Sequence, residues 1–390
     1  MQRSDTPGRL LVGAAIVLLA VNLRAAVGSL GVVLDAVRSD LEMSSTVGGV
    51  LTTLPVICFA AAGMGAGSVV RRLGLHRSVV ALLALIIVGL VARATTSSTA
   101  LFLLASTVAL VGAAVGNVLL PALAKRHFPD RLPLISSLYG AALMGGAAAS
   151  SLTTVPISNA FGNWRDGLFA WAVLAAITML PWLVLLRDRQ ISTDRPKVSY
   201  HSLLRTPIAW ALVGAFGTQS AQAYAQFGWF PAIMVDAGLS RAHAGALLGL
   251  LSFVGLPLAL LLPWLIRRAG TLPVLPWFFA VVTACGWTGV LLAPASASWL
   301  WAILLGLGGA SFTWTLTMIG QSAASPESTA ALSGFAQGLG YVVASAGPFG
   351  AGFLHDLTGS WTLPVAVLLG ATTLVGVFGT WVMRADPVDY

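Results

Sequence analysis

The sequence predicts an all-α polytopic membrane protein of twelve transmembrane helices, and three observations carry that reading. Hydrophobic residues make up 57% of the chain and charged residues only 9%, against about 25% charged in soluble domains. The apolar residues come in stretches close to the roughly 20 residues that a helix needs to cross a hydrocarbon core of about 30 Å. Short polar hinges separate the stretches, and the basic residues concentrate in alternate hinges.

In chain order the stretches fall at 10–34, 45–69, 78–96, 100–122, 134–158, 167–186, 207–234, 244–266, 272–293, 299–319, 330–354 and 362–383. Several contain Gly or Pro, which membrane helices tolerate when neighbours re-satisfy the freed backbone groups. Arg3 and Arg9 before the apolar run Leu10 to Val21 could open a signal peptide, but Asn22 and Arg24 interrupt the run and further spans follow, so it reads as the first span. An even number of spans puts both termini on one side. With that side cytoplasmic, Arg71, Arg72, Lys125, Arg126, Arg187, Arg205, Arg267, Arg268 and Arg384 all face inward, while Arg38, Arg93, Arg165 and Arg241 face outward. The net charge of +8 is therefore a topology signal and not a nucleic-acid footprint. Cys58 and Cys285 both lie in apolar stretches, where packing is their simplest use.

The polar segment from Arg187 to Arg205 divides the chain into a six-helix bundle over 1–186, a cytoplasmic linker over 187–206 and a second six-helix bundle over 207–390. The halves resemble each other. RRLG at Arg71 to Gly74 recurs as RRAG at Arg267 to Gly270, an offset of 196 residues that Gly49 and Gly245 share. FGNW from Phe161 is echoed by TGSW from Thr358 at an offset of 197. A common spacing predicts two parallel repeats related by an axis along the membrane normal, an arrangement that places a binding site at the interface between the halves.

Arg24 is the most informative single residue. At 1.5 Å per residue it lies roughly 20 Å along the first span, too deep to reach either interface easily. A cation there costs a few kcal/mol and calls for a partner or a water-filled cavity. It reads either as an anion-binding or polar-substrate residue, or as a structural cation bonded to carbonyls. Every Asp and Glu falls in a hinge, a terminus or a span end, and His76, His127, His201, His243 and His355 also stand outside the spans. No buried proton relay is predicted. A co-transported proton would have only Asp35 and Asp236, at span ends, or the solute itself as carrier.

Uncharged polar residues complete the candidate site. Gln219, Gln222 and Gln226 share one face of the seventh span, with Tyr224 about a third of a turn away. Gln337 and Tyr341 are i, i+4 neighbours on the eleventh, and Asn22, Asn117, Tyr139 and Trp314 lie within other spans. Each reads as cavity lining or as interhelical glue, the latter worth under about 1 to 2 kcal/mol per contact. GMGAG from Gly63 and GLGG from Gly306 read as close helix packing. No phosphate-binding loop, nucleophile elbow or zinc spacing is present in the sequence, so no enzyme activity, cofactor or metal is expected.

The pieces NLRAAVGSLGVVLDAVRSDL, GGVLTTLPVICF, NVLLPALAKRHFPDR, FGNWRDGLFAWA, QSAQAYAQFGWFPAIMVDAGLS and SGFAQGLGYVVASAGPFGAGFLHDLTGSW together resemble the cyanate and nitroimidazole transporter family of the major facilitator superfamily. The resemblance covers nearly the whole chain. It implies the twelve-helix major facilitator fold with alternating access, and sets Asn22, Arg24, Thr53, Pro55, Asn117, Pro121, Gln219, Tyr224, Trp229, Gln337 and Tyr341 on family pattern positions. The superfamily's motif after the second helix looks like GxxxDRxGRR. Here Gly67 is followed by SVVRRLG, with Arg71 where the acidic residue would stand, so Arg71, Arg72 and Gly74 keep the gating position without its aspartate.

The expectation is a secondary transporter of the cytoplasmic membrane that moves a small anionic or polar neutral solute by alternating access, at a central site around Arg24. Gating and coupling fall to Asp35, Arg71, Arg72, Gly74 and Asp236. The bilayer is its other partner, nucleic acid is not one, and a monomer is the superfamily's default. The alternatives are a broad-specificity drug or metabolite efflux pump, with a large apolar cavity and no need of Arg24, and a non-transporting sensor or scaffold.

Overall fold

The computed structural model describes residues 6–43, 45–186, 200–270 and 272–387. In chain order its helices are α1 (Thr6–Gly31), α2 (Leu34–Asp40), α3 (Ser45–Leu73), α4 (Leu75–Thr95), α5 (Thr99–His127), a 3-10 turn (Pro129–Arg131), α6 (Leu132–Phe161) and α7 (Trp164–Leu185). They continue as α8 (Tyr200–Leu203), α9 (Pro207–Asp236), α10 (Arg241–Ala269), α11 (Val274–Leu292), α12 (Ser298–Gly309), α13 (Ser311–Gln321), α14 (Pro326–Thr358) and α15 (Thr362–Arg384). Each expected span is helical. The first stops at Gly31 and is followed by the short α2, and the tenth is interrupted at Ala310. Most of the expected linker, 187–199, lies outside the described residues.

Among the described residues nine helices are long and apolar enough to cross a membrane, or ten if the two arms of α3, bent by 53° at its glycine run, count as one span. α9 and α14 are long enough, at 30 and 33 residues, but their glutamines, serines and glycines lower their apolar content. Outward faces carry bare aliphatic and aromatic side chains, with Leu104 60%, Leu152 73% and Phe349 75% exposed. Patches of that kind need lipid as solvent.

The chain divides into two compact units. In the first, α1 packs on α5, α6 and α7, and α4 lies against α5 and α7. The start of α14, Ser325–Gly334, groups with this unit, where Glu327 pairs with Arg126 at 3.7 Å. In the second, α9 packs on α10, α13 and α15, and α11 on α12 and α15.

Glycine decides how closely these helices approach. A Cβ on Gly146 of α6 would sit 2.3 Å from the Val21 carbonyl of α1, and one on Gly347 of α14 would sit 2.3 Å from the Ala221 carbonyl of α9. Backbones this close are the small-residue packing that membrane helices use where water supplies no driving force.

The helix ends repeat as well. The left-handed residues among the described ones are Glu42, Gly74, Gly162, Gly238, Gly270 and Gly359. They fall into pairs, Glu42 with Gly238, Gly74 with Gly270 and Gly162 with Gly359, at offsets of 196 or 197 residues. Two of these pairs are the glycines of the RRLG/RRAG and FGNW/TGSW echoes, so those motifs mark where helices close on a residue with positive φ. Asn163, beside one such glycine, accepts from the Arg165 N–H and starts α7, and Ser240 caps α10 by accepting from the His243 N–H.

Arg93 corrects the sequence reading. Expected in an external hinge, it forms part of the last turn of α4 and is 0% exposed. Its Nη1 donates to the Ala26 carbonyl at 2.9 Å and its Nη2 to the Ser29 Oγ at 2.9 Å, both on α1. Those two bonds offset part of the desolvation of a sealed guanidinium.

Candidate functional site

α1 brings two of the expected residues into the first unit. Arg24 is partly exposed, with its guanidinium carbon 5.7 Å from the centre of the Phe59 ring of α3. An aromatic face stabilises a poorly hydrated cation by about 0.5–2 kcal/mol, and Phe59 is itself 2% exposed. Two turns of sequence logic therefore separate the arginines of this unit: Arg93 is sealed against α1, while Arg24 keeps accessible surface. Asn22 is buried and donates from Nδ2 to the Thr178 Oγ1 of α7 at 2.6 Å and to the Leu18 carbonyl at 3.0 Å. Its amide ties α1 to α7. Asn117 on α5 and Tyr139 on α6 are both fully buried. The hydroxyls of Tyr139, Ser136 and Ser137 lie buried together on one stretch of α6, a concentration of polar atoms suited to ordered water.

In the second unit the glutamine face of α9 turns into the bundle. Gln222 accepts from the Trp287 Nε1 of α11 at 2.7 Å and donates to the Leu368 carbonyl of α15 at 2.8 Å. Gln219 donates from Nε2 to the Phe216 carbonyl at 3.2 Å and to the Ser220 Oγ at 2.6 Å. Gln226 is 3% exposed and makes no hydrogen bond among the described residues. All three border a small cavity closed by Thr283, Gly308, Gly309, Ser311 and Val375, with room for about one water.

The other expected residues of this unit stand apart from that cavity. Tyr341 on α14 packs its ring edge-on against Phe216 at 5.0 Å and Tyr224 at 6.2 Å, and Gln337 is buried one turn away. Trp314 on α13 borders a separate cavity of about 280 Å³ with Ile266, Leu275, Met318, Gln321 and Met383.

The gating residues lie at helix ends. Arg71 and Arg72 are exposed in the last turn of α3, with Arg71 donating to the Ser68 Oγ, and Gly74 ends that turn at φ +79°. Asp236 ends α9 and accepts from the Trp361 Nε1 at 2.6 Å, while the Trp361 ring stacks on His355 at 4.0 Å. Asp35 falls in α2, and its side chain lies outside the described residues. Neither Phe59 beside Arg24 nor Thr178 beside Asn22 has a signal in the sequence, because both contacts join residues on different helices. For the interruption of α12 and α13 there was one signal, the Gly308-Gly309 pair.

Comparison with known proteins bears on the family and the fold. The profile of the Major Facilitator Superfamily matches residues 10–348. The chain is 35% identical over 368 residues to the uncharacterized transporter YycB of Bacillus subtilis, covering 93% of this chain and 91% of that one. It is 35% identical over 378 residues to the 2-nitroimidazole transporter of Escherichia coli, covering 95% of each. To the cyanate transport protein CynX of the same organism it is 28% identical over 349 residues, covering 89% of this chain and 91% of that one. Its fold is similar to that of the solved proton:xylose symporter XylE, with a TM-score of 0.80 at 10% identity over 96% of each chain.

Proposed function

We propose that this chain, which belongs to the Major Facilitator Superfamily and is a secondary transporter of the alternating-access type, carries a small anionic or polar neutral solute bound at Arg24. The observation that carries the reading is the contrast between two buried-span arginines: Arg93 is sealed at 0% exposure, whereas Arg24 rests on Phe59 with part of its surface accessible. A guanidinium in a low-dielectric span attracts an anion far more strongly than it would in water, and its planar donors suit carboxylate-like or nitro-like oxygen pairs. The relatives that transport cyanate and 2-nitroimidazole support the finer placement in the cyanate and nitroimidazole transporter family. Within the same unit as Arg24, the residues Asn22, Asn117 and Tyr139 are its polar neighbours in this reading, and Gln219, Gln222, Tyr224, Gln226, Trp314, Gln337 and Tyr341 are the second unit's candidates for contact with the solute, as their place on polar helix faces suggests.

The same reading has twelve spans in two parallel six-helix repeats, 1–186 and 207–390 joined by 187–206. The pairing of left-handed residues at offsets of 196 and 197 supports it. The chain is a multi-pass inner-membrane protein, and the positive-inside bias supports cytoplasmic termini. Arg71, Arg72 and Gly74 act as the cytoplasmic gate, Asp35 and Asp236 as span-end carriers of a coupled proton, and the working unit is a monomer.

One observation favours a second reading. The 280 Å³ cavity around Trp314, Met318 and Met383 mixes aromatic, aliphatic and methionine side chains of the kind that adaptable binding surfaces use, as a broad-specificity efflux pump would. Thermal stabilisation of the purified protein by small anions, nitroaromatics, neutral polar solutes and organic cations separates the two. Anion or nitroaromatic stabilisation lost in a folded Arg24→Ala variant supports the first reading. Equal stabilisation of both forms by bulky apolar cations supports the second.

A further inference from the structure

We propose that the 280 Å³ cavity at one end of the second unit, together with the arginines beside it, binds a phospholipid with a net-negative headgroup. Five helix ends meet there. The walls include Ile208 where α9 begins, Leu275 where α11 begins, Ile266 and Ala269 where α10 ends, Met318 in the last turn of α13 and Met383 where α15 ends.

Tryptophans fix the depth of the cavity in the bilayer. Trp210 of α9, Trp264 of α10, Trp277 of α11 and Trp381 of α15 are each exposed, and each lies within about two turns of this end of its helix. Indoles on lipid-facing helices gather at the membrane–water boundary, with the ring in the apolar zone and the N–H among polar groups. Here Trp210 Nε1 donates to the Leu204 carbonyl at 2.8 Å and Trp277 Nε1 to the Thr380 Oγ1 at 3.0 Å. The cavity therefore stands level with headgroups and upper acyl chains, and a lipid is the molecule nearest to it.

Charge decides which lipid. Arg267 and Arg268 stand in the last turn of α10 between the wall residues Ile266 and Ala269, and Arg384 in the last turn of α15 between the wall residues Met383 and Ala385. All three are exposed, and none forms an ion pair among the described residues. Asp386 is the one carboxylate in the chain segments that build the walls. Helix dipoles largely offset each other here, because α10, α13 and α15 end where α9 and α11 begin. Full charges set the sign, three arginines against one aspartate. Arginine stems lie along apolar surface while the guanidinium stays among headgroups, where its planar donors match phosphate oxygens.

The cavity takes the apolar part of the lipid. Its volume is below the roughly 300 Å³ of the smallest drug-sized pockets, and Gly270, Leu272 and Gln321 are exposed at its rim, so it opens outward. The upper segment of one acyl chain fits that space.

This site goes beyond the solute reading and needs no solute at Arg24. The experiment is native mass spectrometry of the purified, solute-free protein in micelles doped equally with dioleoylphosphatidylglycerol and dioleoylphosphatidylcholine. The expected result is retention of phosphatidylglycerol in preference by about tenfold or more, since each arginine near an anionic lipid is worth about fivefold. The preference should fall by about fivefold in Arg384→Gln and disappear when Arg267→Gln and Arg268→Gln are added. It should also fall in Gln321→Trp, which blocks the cavity and leaves every arginine in place, and stay unchanged in Arg77→Gln, which removes an exposed arginine of the first unit. If the triple variant does not fold, Arg384→Gln and Gln321→Trp still decide. Equal retention of the two lipids would overturn the proposal, and so would a preference undiminished in Gln321→Trp, which would leave only diffuse surface charge. Binding of tetraphenylphosphonium that Gln321→Trp abolishes, without any lipid preference, would also overturn it and give the cavity to the efflux reading. None of these results bears on solute binding at Arg24.

Discussion

Arg93 reaches from α4 to the Ala26 carbonyl of α1 at 2.9 Å, two residues beyond Arg24. The second arm of the same guanidinium takes the Ser29 hydroxyl, so the stretch of α1 that follows Arg24 is held to α4 by a sealed cation. The sign of its mutational effects follows from what each change leaves behind.

Ser29→Ala leaves a fully buried guanidinium short of an acceptor and should destabilise by about 1.5–3 kcal/mol, the range for hydrogen bonds to charged groups. Arg93→Met removes the charge together with its desolvation cost, and should cost less than Ser29→Ala. Melting temperatures of the two variants in the same detergent give the comparison, and the reverse order would contradict the account.

Gly146→Ala and Gly347→Ala each place a methyl 2.3 Å from a backbone carbonyl of the facing helix. Backbone cannot give way as a side chain does, so each should lose about 1–3 kcal/mol through overpacking. Gly309→Ala, with nothing within 4 Å, is the control and should leave the melting temperature of the solute-free protein nearly unchanged.

Glu42 adopts φ +49° where its counterpart in the second half is a glycine, Gly238, at φ +93°. A left-handed non-glycine residue costs about 1–2 kcal/mol, and glycine's extra unfolded-state freedom costs about 0.5–1 kcal/mol. Glu42→Gly should therefore stabilise by several tenths of a kcal/mol or more, and Gly238→Ala should destabilise. A loss of stability in Glu42→Gly would count against the conformational pairing.

Asn22 and Thr178 share a 2.6 Å bond between α1 and α7. A double-mutant cycle with Asn22→Ala and Thr178→Val should give a coupling of about 0.6 kcal/mol, rising to about 1.7 kcal/mol at most. A coupling near zero would mean the amide belongs to another partner.

The sequence resolved elements whose signal is local and lost those that depend on helices meeting. Hydropathy located stretches that are helical among the described residues, nine or ten of them long and apolar enough to cross a membrane, and the Gly74/Gly270 and Gly162/Gly359 echoes were legible because a helix end with positive φ favours glycine. The third pair escaped notice because Glu42 occupies its position in the first half. Gln219, Gln222 and Gln226 were recognisable as one polar face from their spacing, but periodicity does not say which neighbour a face meets. Here Trp287 and Leu368 meet it, and both are more than 60 residues away in the chain. Arg93 looked like an external residue because it lies near the end of its span. Only the Ala26 carbonyl and Ser29 hydroxyl, on another helix, make its burial affordable.

Arg24 is the residue on which the solute reading turns, and uptake of labelled cyanate and 2-nitroimidazole into proteoliposomes tests it most directly. The account predicts uptake of at least one by the wild-type protein, reduced uptake by Arg24→Lys, and none above protein-free vesicles by Arg24→Ala with an unchanged melting temperature. Wild-type uptake that persists undiminished in a folded Arg24→Ala protein would contradict it.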